Sequence, residues 1–360
     1  MDRRTRATLA VELAAVCLAA ALSAVLLGAC AATGGGEASS GAPAATAVPG
    51  SSRTPSVPGW SLVPLDGSSG PTSGSLAALG GTLWAATFAG VWRSVDGGSS
   101  WEHLSDDWCY DLCFTSDRRG WAIGRDGLCA TADGGATWTP VAVADAPRDL
   151  LTVRFLDGAH GALAGGQYGA RHGGWVFTTA DGGASWEGAR LTDGKLKGVC
   201  FANAREGWAV GDMDIVHTTD GGRTWTVQLH RGNGGLALSD VVCSADARHC
   251  WAVSALDGSI WKTDDDGESW RRVWGDWGAG IGGIAFATDE VGYVVGIVYP
   301  PEGSDDAATT TSGLLLSTTD GGDSWVEERV GEVGGLDDVC LPGDGRLVVL
   351  GDGLVLVRPL

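Results

Sequence analysis

Six carboxylates recur in one short motif, Ser/Thr-x-Asp-x-Gly-x-x-Trp. They are Asp96, Asp133, Asp181, Asp220, Asp265 and Asp320, and each precedes a tryptophan: Trp101, Trp138, Trp186, Trp225, Trp270 and Trp325. Carboxylates at fixed spacing could serve as general acids, bases or cation ligands. Six equivalent copies cannot share one active site, so the motif reads as a turn. Its Asp accepts backbone N–H bonds, its Gly permits a left-handed conformation, and its Trp opens the next strand with a packed ring.

Other candidate chemistry is thin. A sialidase needs three convergent Arg, a Tyr nucleophile with a Glu partner, and an Asp acid. Only Tyr110, Tyr168, Tyr293 and Tyr299 are available, and Tyr293 falls in a core strand. No carboxylate pair suited to glycoside hydrolysis stands out. Asp264-Asp265-Asp266 lacks the spacing of a calcium loop, and the six His show no zinc-ligand spacing. No metal, cofactor or catalytic residue is expected. Among the cysteines, Cys243 ends one strand and Cys250 begins the next, so the hairpin predicts a disulfide between them. Cys113, Cys200, Cys243 and Cys340 read as one repeated strand position, and Cys109 with Cys129 as a weaker candidate pair.

These residues need a scaffold, and the motif supplies its period. The Asp positions 96, 133, 181, 220, 265 and 320 lie 37, 48, 39, 45 and 55 residues apart, the range of propeller blades. The unit 197–227 shows the whole repeat: Gly198–Phe201 as strand A, Gly207–Gly211 as B, Ile215–Thr218 as C, and a strand D from Trp225. After the sixth motif, residues 336–340, 346–350 and 354–358 supply A, B and C without D. Trp60–Leu65 reads as a D with nothing before it. Pairing the two ends gives an all-β, seven-bladed β-propeller of four-stranded antiparallel blades over residues 59–360, closed by the N-terminal strand. Closure removes exposed sheet edges.

Six such Asp-boxes combined with Gly-Trp-Ala-Val-Gly strands resemble the photosystem II assembly and stability factor family across residues 60–360. Sortilin-type and sialidase propellers share the box alone. The resemblance implies a chaperone that assists assembly of a complex. It does not imply catalysis.

In such blades the A–B and C–D loops share one face and the D–A and B–C loops the other. The second face carries the irregular insertions, 165–174 and 299–312. Most of the 17 tryptophans belong to the repeat. Trp175 does not, and Trp108, Trp274 and Trp277 fall in D–A connections. With Tyr168, Arg171, His172, His230 and Arg231 they are the candidate ligand-binding set, because aromatic and Arg side chains commonly anchor recognition. A glycan-binding or glycan-hydrolysing propeller is the alternative.

The N-terminus predicts where this happens. Arg3, Arg4 and Arg6 precede an apolar run that ends Leu27-Gly28-Ala29-Cys30. This reads as a lipoprotein signal over 1–29 with lipidation at Cys30. Residues 30–58 are then a tether rich in Ala, Gly, Ser and Pro, spanning about 30 Å. The domain is expected to be exported, monomeric and held by its lipid at the outer face of the cytoplasmic membrane or at a periplasmic membrane face. A net charge of −20 argues against nucleic acid. The expected partner is a protein or peptide.

Overall fold

Short β-rich segments bounded by Gly or Asp cannot bury both faces alone, so each hairpin pair must stack on the next. The computed structural model describes residues 57–65, 74–169, 172–232, 235–275, 278–300, 311–328, 330 and 333–360. Their strands form seven four-stranded antiparallel sheets. Six run in simple sequence order, such as Leu196–Phe201, Gly207–Gly211, Asp214–Thr218 and Thr226–His230 in blade four. The seventh joins Asp338–Cys340, Arg346–Gly351 and Leu354–Pro359 to the N-terminal strand Ser61–Pro64. Ser61 pairs with Val357 and Pro64 with Leu354. The chain is thus a seven-bladed β-propeller closed by its own two ends.

Strands A touch strands A of neighbouring blades around the whole ring, so they line the axis. In blades two to six, strand A carries a register shift near its start, as between Cys109 and Asp111 or Leu196 and Gly198. Such a bulge bends the strand and re-aims its side chains. The core lies between blades. Trp84 of blade one stacks on Phe114 of blade two at 3.9 Å. Trp121 stacks on Phe155 at 3.5 Å, and Trp251 on Phe286 at 3.8 Å.

Several expectations are corrected. Cys113, Cys200 and Cys340 do share a position, opposite Trp121, Trp208 and Val348. Cys243 is one residue further on, opposite Cys250, and a one-residue step reverses the side-chain face. Cys109 and Cys129 are free thiols. The blade-three insertion shrinks, because Gly161–Gln167 and Gly173–Thr179 are both strands. Trp175 lies in the second of these, and Trp274 closes strand Arg271–Trp274 instead of standing in a connection.

Candidate functional site

The six Asp-boxes form the rim of one face, and in each the Asp carboxylate is tied into its own turn. In blade four, Thr218 Oγ1 donates to Asp220 Oδ1 at 2.9 Å and accepts from Gly222 N–H at 2.9 Å. Asp220 also accepts from Thr224 N–H at 2.9 Å and Thr224 Oγ1 at 2.7 Å. Gly221 and Gly222 sit at φ 77° and 87°, which only Gly adopts without strain. The hydroxyl and amide donors hold the carboxyls of Asp96, Asp133, Asp181 and Asp220 down at about 2. Such groups are fixed anions at neutral pH and cannot deliver a proton. Trp84 and Trp251 extend the welding, donating Nε1–H to Gly134 O and Gly321 O of the following blade.

At the axis the bulged strands bring together charges that sequence reading missed. Arg154 Nη1 donates to both oxygens of Asp111, at 2.7 and 2.8 Å. Its Nη2 lies 4.0 Å from Asp240. Burial alone would lower the Arg154 pKa, but Asp111 and Asp240 outweigh it and raise the value. Asp111 accepts Val153 N–H of the next blade at 2.7 Å. Asp338 in the same position accepts Leu76 N–H at 2.7 Å, between the last blade and the first. Burial pushes the Asp338 carboxyl up to about 7. A signal existed in the spacing: Asp111 and Asp338 each stand two residues before a strand-A Cys.

A cleft of about 720 Å³ opens on the Asp-box face and runs inward to this axial group. Arg154, Cys200 and Val242 form its inner end, and His160, Arg205 and Arg223 its outer wall. Arg205 donates Nε–H to Thr219 O and Arg223 donates Nη1–H to Asp220 O, which leaves the rest of each exposed guanidinium open. The cleft's carboxylates include Asp181 and Asp220, both tied into box turns.

The opposite face carries the residues expected from sequence, in separate groups. Trp108 stacks against the exposed Phe88 at 5.5 Å and leans on Tyr110 at 5.9 Å. Its buried Nε1 has no hydrogen-bond partner among the described residues. Tyr168 is clamped between blades: its hydroxyl donates to Asp212 at 2.7 Å, and Lys195 Nζ lies 4.5 Å from its ring centre. His172 sits 5.8 Å from that ring. His230 bonds Asp214 at 2.7 Å, and Arg231 covers the Trp261 ring at 4.9 Å. Trp274 packs half-buried in the core between blades five and six. Arg171, Trp277 and Cys30 lie outside the described residues. Tyr293, with 9% exposure, belongs to the core.

The family described as Photosynthesis system II assembly factor YCF48 matches residues 144–274. The Photosystem II assembly lipoprotein Ycf48 of Synechococcus sp. (strain CC9902) is 31% identical over 127 residues, covering 34% of this chain and 35% of the relative. The chain therefore aligns with about a third of that protein's length. The solved structure of YCF48 bound to D1 peptide superposes with a TM-score of 0.60 at 17% identity, over 85% of this chain and 98% of that one. The GH74 xyloglucanase from Xanthomonas campestris reaches the same TM-score at 15% identity, over 84% of this chain and 54% of that one. At these identities the structural matches establish the fold. Together with the family match, they make the chain similar to YCF48-type Asp-box propellers.

Proposed function

We propose that this chain is a non-catalytic, exported propeller, held at a membrane surface by a lipid on Cys30, that binds an extracytoplasmic protein or peptide. The observation that carries this is the arginine-walled cleft. It offers a peptide apolar surface from the exposed Leu156 and the half-buried Phe155, Phe201 and Val242, and open guanidinium groups from Arg205 and Arg223. Its box carboxylates are locked as anions, whereas a glycosidase needs one carboxyl kept protonated. The peptide named in the solved YCF48 complex supports the ligand class. Arginine favours an acidic peptide.

The face built from D–A and B–C loops is the second reading, favoured by the clamped, exposed Tyr168 and the Phe88–Trp108 stack. Photo-crosslinking in native membranes separates the two. R205E/R223E is expected to reduce partner capture about tenfold or more, while F88A/Y168A leaves it intact. The reverse result moves the site to the loop face. Turnover of xyloglucan oligosaccharides or fluorogenic glycosides, lost on mutating a cleft carboxylate, overturns the binding reading.

A further inference from the structure

The interface between blades four and five departs from a pattern seen at three other junctions. There a strand-B Trp stacks on a Phe from the next blade's strand A: Trp84 on Phe114, Trp121 on Phe155 and Trp251 on Phe286. In blade five the equivalent of that Phe is Cys243, since Phe114 and Phe201 occupy the position opposite Gly120 and Gly207 where Cys243 faces Cys250. Trp208, lacking a Phe, stacks on His217 of its own blade at 4.2 Å. Cys243 and Cys250 are joined by a disulfide. The gap left by the missing ring is therefore filled by sulfur.

A third sulfur faces the same interface. Cys200 occupies the blade-four position whose blade-two equivalent, Cys113, accepts Phe155 N–H on its sulfur at 3.3 Å. The group in the matching place for Cys200 is the amide of Cys243 itself, which acts to lower the Cys200 thiol's pKa against the larger effect of burial. Cys200, Cys243 and Cys250 all pack on one apolar cluster around Trp208 and Ala252. The Cys200 thiol thus shares the disulfide's cluster and lines the wall of the cleft.

We propose that Cys200, Cys243 and Cys250 form a thiol–disulfide exchange set, in which Cys200 attacks Cys243 and converts the hairpin disulfide within blade five into a covalent bond between blades four and five. The Cys200 thiolate forms a bond to Cys243 Sγ as the Cys243–Cys250 bond breaks. Cys250 leaves as thiolate and takes up the proton that Cys200 gave to solvent. One disulfide and one thiol stand on each side, so no oxidant is consumed. Burial pushes the Cys200 thiol up to about 11, so little thiolate is present and the exchange is slow at neutral pH. The new bond would pin two blades together at the inner end of the cleft. The inference is independent of what the cleft binds.

The test is disulfide mapping of the full mature chain, with acid quenching and thiol alkylation before digestion. In C250S, mild oxidation with diamide is expected to yield a Cys200–Cys243 peptide and to remove both residues from the alkylated pool. C200A/C250S should keep Cys243 alkylatable under the same treatment. Wild type incubated with a trace of reduced glutathione at pH 8.5 should accumulate the Cys200–Cys243 isomer alongside Cys243–Cys250. The wild-type arm does not depend on a variant folding. If Cys200 stays fully alkylatable in both the C250S and wild-type arms, the exchange set does not exist.

Discussion

Two blade junctions use the same strand-A carboxylate in different company. Between blades two and three, Asp111 accepts Val153 N–H and is paired with the Arg154 guanidinium. Between blades seven and one, Asp338 accepts Leu76 N–H and Val339 N–H, and among the described residues no guanidinium bonds it. Its surroundings are Arg154 across the axis, Asp240, the Cys340 thiol and the apolar strand of blade one. The first joins strands 42 residues apart in the chain. The second lies beside the seam, where the N-terminal strand Ser61–Pro64 pairs with Leu354–Pro359 inside blade seven and the ring closes without a covalent link. The contrast shows one motif serving as a charge-paired staple in one place and as a proton-dependent clasp in the other.

The largest expected effect comes from removing the seam's other component. Deleting residues 60–65 strips Leu62 and Trp60 from the core cluster they cover, together with the buried Leu65. A loss on the order of 5 kcal/mol or more is expected from apolar burial alone. It would be read as a collapse of the melting temperature, with an enlarged radius in small-angle scattering. Unchanged melting would mean that the ring does not depend on its N-terminal strand.

Next is Arg154→Leu, which leaves Asp111 enclosed without its partner. Breaking a buried pair costs about 3–5 kcal/mol, and the partial exposure of Arg154 brings this nearer 2–3. Asp111→Asn in the same background should recover part of the loss in urea unfolding. Equal destabilisation with and without Asp111→Asn would show that packing, not charge, holds this junction.

The smallest effect is Asp338→Asn, and it is a slope. The folded Asp338 value, about 7, stands above the ordinary 3.8 because of burial. Its protonated form therefore favours folding. That contribution is complete below the unfolded value and is lost as pH rises through about 7. Wild type should lose about 1–3 kcal/mol of stability between pH 5 and 8 through this group, and Asp338→Asn should flatten that part of the profile. An identical slope in the variant would place the titration elsewhere.

Much of the fold was legible because its signals are local. The Ser/Thr-x-Asp-x-Gly-x-x-Trp turns mark every C–D hairpin of blades one to six, since Asp, Gly and Thr satisfy the turn within a few residues. The missing D of the last blade and the surplus strand at Trp60 completed the ring by counting. The candidate site was less legible. Trp274 reads as a loop tryptophan but fills the core between blades five and six. Tyr168 and Trp108 do stand on the expected face, in separate groups. Arg154, Arg205 and Arg223 carry no motif that distinguishes them from solvated arginines.

The sequence by itself determined the strands, their order, the turn chemistry and the Cys243–Cys250 hairpin, because each depends on residues a few positions apart. Only the tertiary structure decided which side chains meet at the axis. Bulged strands A of blades two, three and five and the regular strand A of blade seven bring Asp111, Arg154, Asp240 and Asp338 toward one axial group, and strand A of blade five brings the amide of Cys243 toward Cys200. Those encounters join residues tens to hundreds of positions apart, and a single-residue change of register would have pointed each side chain the other way.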